Sequence, residues 1–298
     1  MDSYKVTGII AAPCTAFKTN GDINTDPDLM DRYIKFLQDM KITGVYTTGT
    51  NGEGPSLTVE ERKAVTQLWI DRAKGKLTII AHVGGCNQRE AIELAAHAGK
   101  VGVDAFACMV PSFFKAKTEE AVVSFLEPIA AAAPTVPFYY YDINFLTGVY
   151  LNCRRVLELG KSRIPNLKGA KYSCREMPGL FDTSLVDGMQ VMSGTDDQFL
   201  PILSLGVDVP IVNGYVGTIF YDLYEAYKNG DMKTARKHQE RAIRLSKIRE
   251  AHGGGIGSVK AIMKCFGFNL GPARLPEVTF TDAQVEALRQ DLKKNEFI

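Results

Sequence analysis

The sequence predicts an α/β fold, a (β/α)8 (TIM) barrel followed by extra C-terminal helices. Short apolar runs alternate eight times with longer amphipathic segments, which favours repeated strand–helix units. Most of the short runs are rich in Val, Ile, Phe or Tyr without strict polar alternation, as in parallel strands that are buried on both faces. The chain has 298 residues, 45% of them hydrophobic, and a barrel of this class forms one core from about 250 residues.

Eight strands are predicted along the chain, each followed by a helix. The strands are predicted at 8–13, 44–48, 77–83, 105–110, 137–143, 167–173, 189–193 and 209–213. The helices are predicted near 26–40, 58–73, 87–99, 118–132, 152–160, 176–186, 196–205 and 217–228. Thr58 and Glu61 form the S/T-x-x-E pattern of a capping box, which marks the start of the second helix. An open, doubly wound sheet is the alternative topology for this pattern.

The pattern after residue 230 is helical, without a further strand. The stretch 231–250 is highly charged and carries Ala242, Leu245 and Ile248 along one side, which favours a packed or solvated helix over a nucleic-acid contact. A glycine-rich break at 253–257 precedes two more helices. We therefore expect a single domain over 1–298. It would consist of a barrel at 1–228 and a helical extension at 229–298 that packs on the barrel.

The composition argues against several classes of function. The formal net charge is +1, so no general attraction to nucleic acid or to an anionic membrane is expected. The sequence has no apolar run of 18 or more residues, the length that spans a membrane. Six scattered cysteines without a C-x-x-C pair indicate reduced thiols and a cytoplasmic protein. The four histidines form no clustered pair, so no metal site is predicted.

The loops after the strands form the functional site in barrels of this class. The second predicted strand ends in "GTNGEG" (49–54), whose glycines let the backbone approach a ligand closely. Such a turn can hold a small anion through its N–H groups. No lysine follows Gly54, as a phosphate-binding P-loop requires, and the glycines do not fit G-x-G-x-x-G. The identity of the ligand stays open from this loop alone.

Lys171 ends the sixth predicted strand and shares a face with Gly169. If that face is the barrel interior, Lys171 is either an ion-pair partner or a nucleophile. Only about 0.04% of an ordinary lysine is neutral at pH 7. Burial lowers the pKa, and a neutral amine can then form an imine with a ketone. Lys168 points to the opposite face and is the weaker candidate.

Tyr141 is the last of three consecutive tyrosines in the fifth predicted strand. Tyr139 and Tyr141 share one face of the strand, and Tyr140 lies on the other. Most such tyrosines are core residues with a hydrogen-bonded hydroxyl. Because Tyr141 is closest to the strand end, it is also a candidate for passing a proton to or from a bound substrate.

Three segments together resemble a known family. They are "GTNGEG" (49–54), "PFYYYDINFLTGV" (137–149) and "LKGAKYS" (167–173), each at the end of a predicted strand. In this order they are similar to the pyruvate-dependent class I aldolase superfamily of dihydrodipicolinate synthases and N-acetylneuraminate lyases. The synthases carry an arginine at the position of Leu146, so the lyases are the more similar branch.

The resemblance implies a role for each matching residue. Lys171 would be the Schiff-base lysine, Tyr141 the proton-relaying tyrosine, and Thr50 with Asn51 the site for the pyruvyl carboxylate. The sugar tail would be bound by Ser173, Gly194, Asp196, Asp197, Gly217 and Thr218. Similarity to the lyase branch implies cleavage of N-acetylneuraminate to N-acetylmannosamine and pyruvate, without a metal or organic cofactor because the imine accepts the electrons. A homotetramer is implied as well.

Four positions depart from the lyase pattern. Asn51 replaces a threonine or serine, Asn144 a proline, Asp197 a glutamate and Thr218 a serine. These departures leave two alternatives, a 2-keto-3-deoxy sugar-acid aldolase and a non-catalytic pyruvate- or sugar-binding homologue. For the lyase and for the alternative aldolase, the expected partner is a small-molecule keto acid such as a sialic acid. No nucleic-acid or membrane partner is expected.

Overall fold

The computed structural model describes residues 4–298, and eight parallel strands close into a barrel within them. Consecutive strands pair from the first to the seventh, and the eighth pairs with the first. The seventh and eighth meet where the Ser193 N–H donates to the Val209 carbonyl at 3.0 Å. The barrel prediction is confirmed, and the open sheet is wrong. The strands are β1 (Ile9–Ala11), β2 (Ile42–Thr47), β3 (Thr78–His82), β4 (Ala105–Cys108), β5 (Phe138–Asp142), β6 (Leu167–Tyr172), β7 (Gln190–Ser193) and β8 (Ile211–Val212).

Each predicted helix is present between or after the strands. The barrel helices are α1 (Pro27–Asp39), α2 (Val59–Ala73), α3 (Gln88–Val101), α4 (Glu119–Ala131), α5 (Asn144–Thr147), α6 (Cys153–Arg163), α7 (Met177–Ser184), α8 (Phe199–Leu203) and α9 (Gly217–Lys228). The C-terminal helices are α10 (Met232–Ala251), α11 (Gly255–Cys265) and α12 (Asp282–Lys294). The short α5 was not predicted, and a single 3-10 turn at Asp196–Gln198 precedes α8.

Local sequence signals set the starts of the helices. The predicted capping box of α2 is confirmed, because the Glu61 N–H donates to Thr58 Oγ1 at 3.2 Å. The Thr58 N–H in turn donates to the Glu61 carboxylate at 2.8 Å. Thr118 caps α4 through the Ala121 N–H at 3.1 Å. These caps satisfy N–H groups that have no partner inside the helix.

The inside of the barrel is a small core, separate from the larger core between sheet and helices. Tyr46, Tyr139 and Tyr141 pack inside it, whereas Tyr140 packs in the outer core. The strand alternation predicted for the three tyrosines is therefore confirmed. It places the side chain of Tyr141 at the open end of the barrel, among the ends of the neighbouring strands.

The C-terminal region contacts the barrel close to the strand ends through both α10 and α11. Gln239 of α10 accepts a hydrogen bond from the Leu200 N–H at 2.7 Å. Lys260 of α11 forms an ion pair with Glu53, with 2.6 Å between Nζ and Oε1. These contacts support the prediction that residues 229–298 pack on the barrel within one domain. They also bring α10 close to the C-terminal ends of the strands.

Candidate active site

A cavity of about 230 Å³ opens at the C-terminal ends of the strands. This is the end at which barrels of this class carry their functional site. Eight of the ten predicted site residues line the cavity: Thr50, Asn51, Tyr141, Lys171, Ser173, Gly194, Asp196 and Asp197. The structure therefore brings together predicted residues that lie far apart in the chain, at the ends of β2, β5, β6 and β7.

Gly217 and Thr218 are not among the residues that line this cavity. The structure places them in the first turn of α9, where a Cβ on Gly217 would lie 2.1 Å from the Met40 carbonyl oxygen. Both residues of β8, Ile211 and Val212, line the cavity, as does Asn213, which directly follows the strand. The structure therefore does not bring Gly217 and Thr218 to the wall of this cavity, and their predicted contact with the substrate stays a prediction. Gly217 is needed for close packing against α1, away from the cavity.

Lys171 lies near the end of β6 with its side chain inside the barrel. Its side chain is enclosed by aromatic rings, with Nζ 3.9 Å from the ring centroid of Tyr46 and 4.1 Å from that of Tyr141. Lys171 is only 4% exposed. Burial lowers the pKa of the Lys171 amine, and the nearby Tyr141 and Asp196 oppose the shift only in part. The amine therefore becomes neutral, and nucleophilic, at a lower pH than an ordinary lysine.

Gly194 gives Lys171 and Ser173 the room that they need. A Cβ at this position would lie 2.1 Å from Ser173 Oγ and 3.2 Å from Lys171 Cε. Because real Cβ atoms do not approach so closely, any other residue would displace the serine. Gly194 thus shapes the cavity. Its role in the predicted site is to leave room for the side chains of Ser173 and Lys171.

Tyr141 is the predicted proton relay, and its hydroxyl lies 3.2 Å from Thr50 Oγ1. Its ring packs edge-on against Tyr46 and His82, with 5.5 Å between centroids in each case. This packing fixes the ring and directs the hydroxyl to the loop that follows β2. Asn144, which stands where the lyase pattern has a proline, is the first residue of the short helix α5. Tyr141 lines the cavity with this asparagine in place.

His82 is a structural residue beneath Tyr141. Its Nδ1 donates to the Thr48 carbonyl at 3.0 Å, and its own carbonyl accepts from Arg62 at 2.7 Å. Burial, assisted by the Arg62 charge, holds the pKa of His82 well below its ordinary value. The imidazole is therefore neutral, and it serves to support the Tyr141 ring.

The loop 49–54 is held rigidly from below by the buried carboxylate of Glu53. Besides the ion pair with Lys260, this carboxylate accepts the Arg274 N–H at 2.7 Å. Glu53 has a left-handed backbone, with φ of 55°. Its side chain pairs with Lys260 and is not among those that line the cavity. The loop is thus preorganised before a ligand binds.

Thr50 and Asn51 present donors to the cavity from this loop. Among the described residues 4–298, neither of their backbone N–H groups has a hydrogen-bond partner. The Asn51 side-chain amide is already engaged, since Nδ2 donates to the Ala12 carbonyl at 3.2 Å and to Asn213 Oδ1 at 2.8 Å. Two N–H groups and the Thr50 hydroxyl therefore remain for an anionic ligand, a set of donors that fits a carboxylate.

The far end of the cavity is polar and carries charges of both signs. Asp197 forms an ion pair with Arg175, and Asp196 accepts from Asn213 Nδ2 at 2.8 Å. Burial raises the pKa of Asp196, while Arg249 and the Asn213 hydrogen bond oppose the rise. Carboxylate oxygens accept hydrogen bonds from hydroxyl groups, so this end of the cavity suits a polyhydroxyl chain.

Several lining residues were missed by the sequence analysis. Asn213 directly follows β8 and Arg175 lies three residues after β6, so the strand-end rule would have included both if it had been applied to every residue of these loops. Arg249 and Glu250 come from α10, which folds over the mouth of the cavity. The sequence of α10 indicates only a charged helix. Leu146 lines the mouth and is 53% exposed, so this position carries no charge for a second carboxylate.

The described residues 4–298 also bear on two other kinds of site. No group of three or more His, Cys, Asp or Glu side chains is placed to hold a metal ion in that range. No helix in the same range is long and apolar enough to cross a membrane.

The barrel and its buried strand-end lysine define a site of the class I aldolase type, in which a lysine amine forms an imine with a keto acid. The chain belongs to the dihydrodipicolinate synthetase family, whose model matches residues 5–295. The predicted family is thereby confirmed.

The similar proteins include several lyases. The N-acetylneuraminate lyase of Rattus norvegicus is 35% identical over 288 residues, which cover 91% of this chain and 87% of the rat protein. The solved structure of the Aliivibrio salmonicida N-acetylneuraminate lyase is 30% identical, with a TM-score of 0.94 and 99% of each chain covered. That of Proteus mirabilis N-acetylneuraminate lyase is 28% identical, with a TM-score of 0.94 over 99% of this chain and 100% of that one. The prediction of a lyase is confirmed.

Proposed function

We propose that this protein cleaves N-acetylneuraminate to N-acetylmannosamine and pyruvate through a Schiff base on Lys171. The observation that carries the proposal is the position of Lys171, buried at a strand end beneath the cavity, with a lowered pKa and with Tyr141 beside it. The names of the similar lyases supply the substrate class.

The reaction begins at the open-chain keto acid. The neutral amine of Lys171 attacks the C2 ketone, and loss of water gives a protonated imine. Tyr141 removes the proton of the C4 hydroxyl, directly or through the substrate carboxylate. The C3–C4 bond then breaks, its electron pair moves to the imine to form an enamine, and N-acetylmannosamine leaves as an aldehyde. Protonation of the enamine carbon and hydrolysis of the imine release pyruvate and restore the lysine.

The remaining cavity residues bind and orient the substrate. The free N–H groups of Thr50 and Asn51 and the Thr50 hydroxyl would anchor the carboxylate, which sets the ketone opposite Lys171. The Thr50 hydroxyl also lies 3.2 Å from the Tyr141 hydroxyl, so one residue links carboxylate binding to proton transfer. Ser173, Asp196 and Asp197 would accept hydroxyl groups of the sugar tail at the polar end.

A comparison of two substrates tests the proposal. We expect faster pyruvate release from N-acetylneuraminate than from 2-keto-3-deoxygluconate, measured as kcat/KM. A clear preference for 2-keto-3-deoxygluconate would contradict the proposed substrate and leave an aldolase of another sugar acid. Absence of release from both, with an intact fold, would favour the non-catalytic homologue.

We extend the proposal to a homotetramer in the cytoplasm. Phe113 and Phe114 follow β4 and are 78% and 86% exposed, and a pair of exposed aromatic side chains is typical of a surface that another chain covers. All six cysteines are free, as reduced thiols are in the cytoplasm. Sedimentation should give four times the chain mass of 32.8 kDa. Phe114→Ser should shift the distribution to smaller species, and a wild-type monomer would contradict the tetramer.

A further inference from the structure

A chain of side-chain amides connects the loop 49–54 with the acidic end of the cavity. Asn51 Nδ2 donates to Asn213 Oδ1 at 2.8 Å, and Asn213 Nδ2 donates to Asp196 Oδ2 at 2.8 Å. Asn51 Nδ2 also donates to the Ala12 carbonyl at 3.2 Å. The residues lie after β1, β2, β7 and β8, so the chain spans the part of the barrel where the sheet closes.

The direction of this chain follows from its two ends. A backbone carbonyl can only accept, and so can an ionised carboxylate. The amide nitrogen of Asn51 must therefore face Ala12, and that of Asn213 must face Asp196. The Asn213 oxygen is then left to accept from Asn51. The two side-chain hydrogen bonds that link the loop to Asp196 therefore run in the same sense, from Asn51 to Asn213 and from Asn213 to Asp196.

The chain determines which part of Asp196 is available to a ligand. Oδ2 is occupied by Asn213, and the backbone carbonyl of Asp196 accepts from Gln239 at 3.4 Å. Asp196 is thus held at its backbone carbonyl by Gln239 and at one carboxylate oxygen by Asn213. Its second oxygen remains to accept a hydroxyl group in the cavity that Asp196 lines.

We propose that Asn213 is a positioning residue, which aims Asp196 at the hydroxyl groups of the sugar tail and couples it through Asn51 to the carboxylate-binding loop. The identity of the tail rests on the function proposed above. A ligand that has both a carboxylate and a tail is then recognised by one connected unit. Pyruvate has no tail, so it engages only the loop end of that unit.

The first test is Asn213→Ala. Loss of a hydrogen bond to a charged group weakens binding roughly tenfold or more. We expect KM for N-acetylneuraminate to rise by that factor, with a much smaller effect on kcat and on the labelling of Lys171 by pyruvate and borohydride. A KM equal to that of the wild type would overturn the proposal. Asn20→Ala, in an exposed turn, is the matched control.

A second variant separates the hydrogen bond from the shape of the side chain. Asn213→Asp keeps the shape and the acceptor for Asn51, but it replaces the donor that faces Asp196 with a second carboxylate. We expect KM to rise at least as much as in Asn213→Ala, with melting temperatures that show both variants folded. Wild-type KM in Asn213→Asp would show that only the shape matters and would overturn the proposal.

Competition makes the test independent of turnover. The sugar acid should slow the labelling of Lys171 by pyruvate, and Asn213→Ala should weaken this competition by the same factor as it raises KM. Competition without cleavage by the wild type would contradict the proposed lyase function while the comparison of variants still tests the amide chain. If the wild type prefers 2-keto-3-deoxygluconate, the same comparison is made with that acid.

Discussion

Glu53→Gln removes one charge of the buried ion pair that holds the loop 49–54. The Glu53 and Lys260 side chains are 2% and 4% exposed, with 2.6 Å between Oε1 and Nζ. Glutamine keeps the length and one oxygen for the Arg274 N–H, which the carboxylate accepts at 2.7 Å. The main effect of the substitution is therefore to leave the Lys260 ammonium buried without its counter-charge.

The size of the effect can be worked out from this burial. Removal of one partner of a buried ion pair costs about 3–5 kcal/mol of unfolding free energy. Unfolding entropy is about 2.1 cal/mol/K per residue, which for 298 residues gives about 0.6 kcal/mol/K. The melting temperature should fall by about 5–8 °C. We also expect kcat/KM to fall, because the same loop carries Thr50 and Asn51.

Thermal unfolding followed by circular dichroism or calorimetry measures the shift. The control is Asp282→Asn, which breaks an exposed ion pair with Lys264 on the same helix α11. Exposed pairs contribute about 0–1 kcal/mol, so the control should melt within about 2 °C of the wild type. Glu53→Gln combined with Lys260→Met should recover part of the loss, because no charge is then buried alone. A Glu53→Gln shift as small as that of the control would refute the reasoning.

Three further predictions concern the cavity. Tyr141→Phe should lower kcat for cleavage by about a hundredfold or more, because the proton relay is lost, while pyruvate still labels Lys171. The rate of pyruvate labelling in the wild type should rise with pH with a midpoint below pH 10.5, because burial lowers the pKa of Lys171 and only the neutral amine attacks. Arg175→Ala frees Asp197 from its ion pair and should raise KM for N-acetylneuraminate, while unfolding free energy changes by less than about 1 kcal/mol.

Each of these has an outcome that contradicts it. A Tyr141→Phe enzyme with wild-type kcat would remove the tyrosine from proton transfer. A labelling midpoint near pH 10.5 would show an ordinary lysine. For Arg175, the matched control is Arg155→Ala, an exposed arginine whose partner Glu158 lies on the same helix. Equal KM values in the two arginine variants would place the Asp197 ion pair outside the sugar-binding region.

The fold could be predicted from the sequence because its signals are local and repeated. Eight apolar runs, each followed by an amphipathic segment, leave few topologies. Side-chain alternation within β5 and β6 assigned Tyr141 and Lys171 each to one face of its strand, and the structure shows that both faces are the barrel interior. The face on which each of these two residues lies depends only on the alternation within its own strand. Both residues line the one cavity because the C-terminal ends of β5 and β6 are neighbours in the barrel.

The rest of the site depends on contacts between distant segments. The partner of the Asn51 amide, Asn213, is 162 residues away, and no local pattern reports such a hydrogen bond. Arg249 enters the site because α10 packs against α9, which a charge pattern does not determine. Gly217 and Thr218 lie in α9 and not in the cavity wall, because a 3-10 turn at Gly214–Val216 separates α9 from the two-residue strand β8.

Reductive trapping at Lys171 is the most direct measurement of the central claim. The protein is incubated with pyruvate and borohydride, and the modified residue is found by peptide mass. We predict a stable adduct on Lys171 in the wild type and in Lys168→Ala, its neighbour on the opposite face of β6, and no adduct in Lys171→Ala. No adduct in the wild type, or an adduct that survives in Lys171→Ala, would contradict a Schiff base on this lysine.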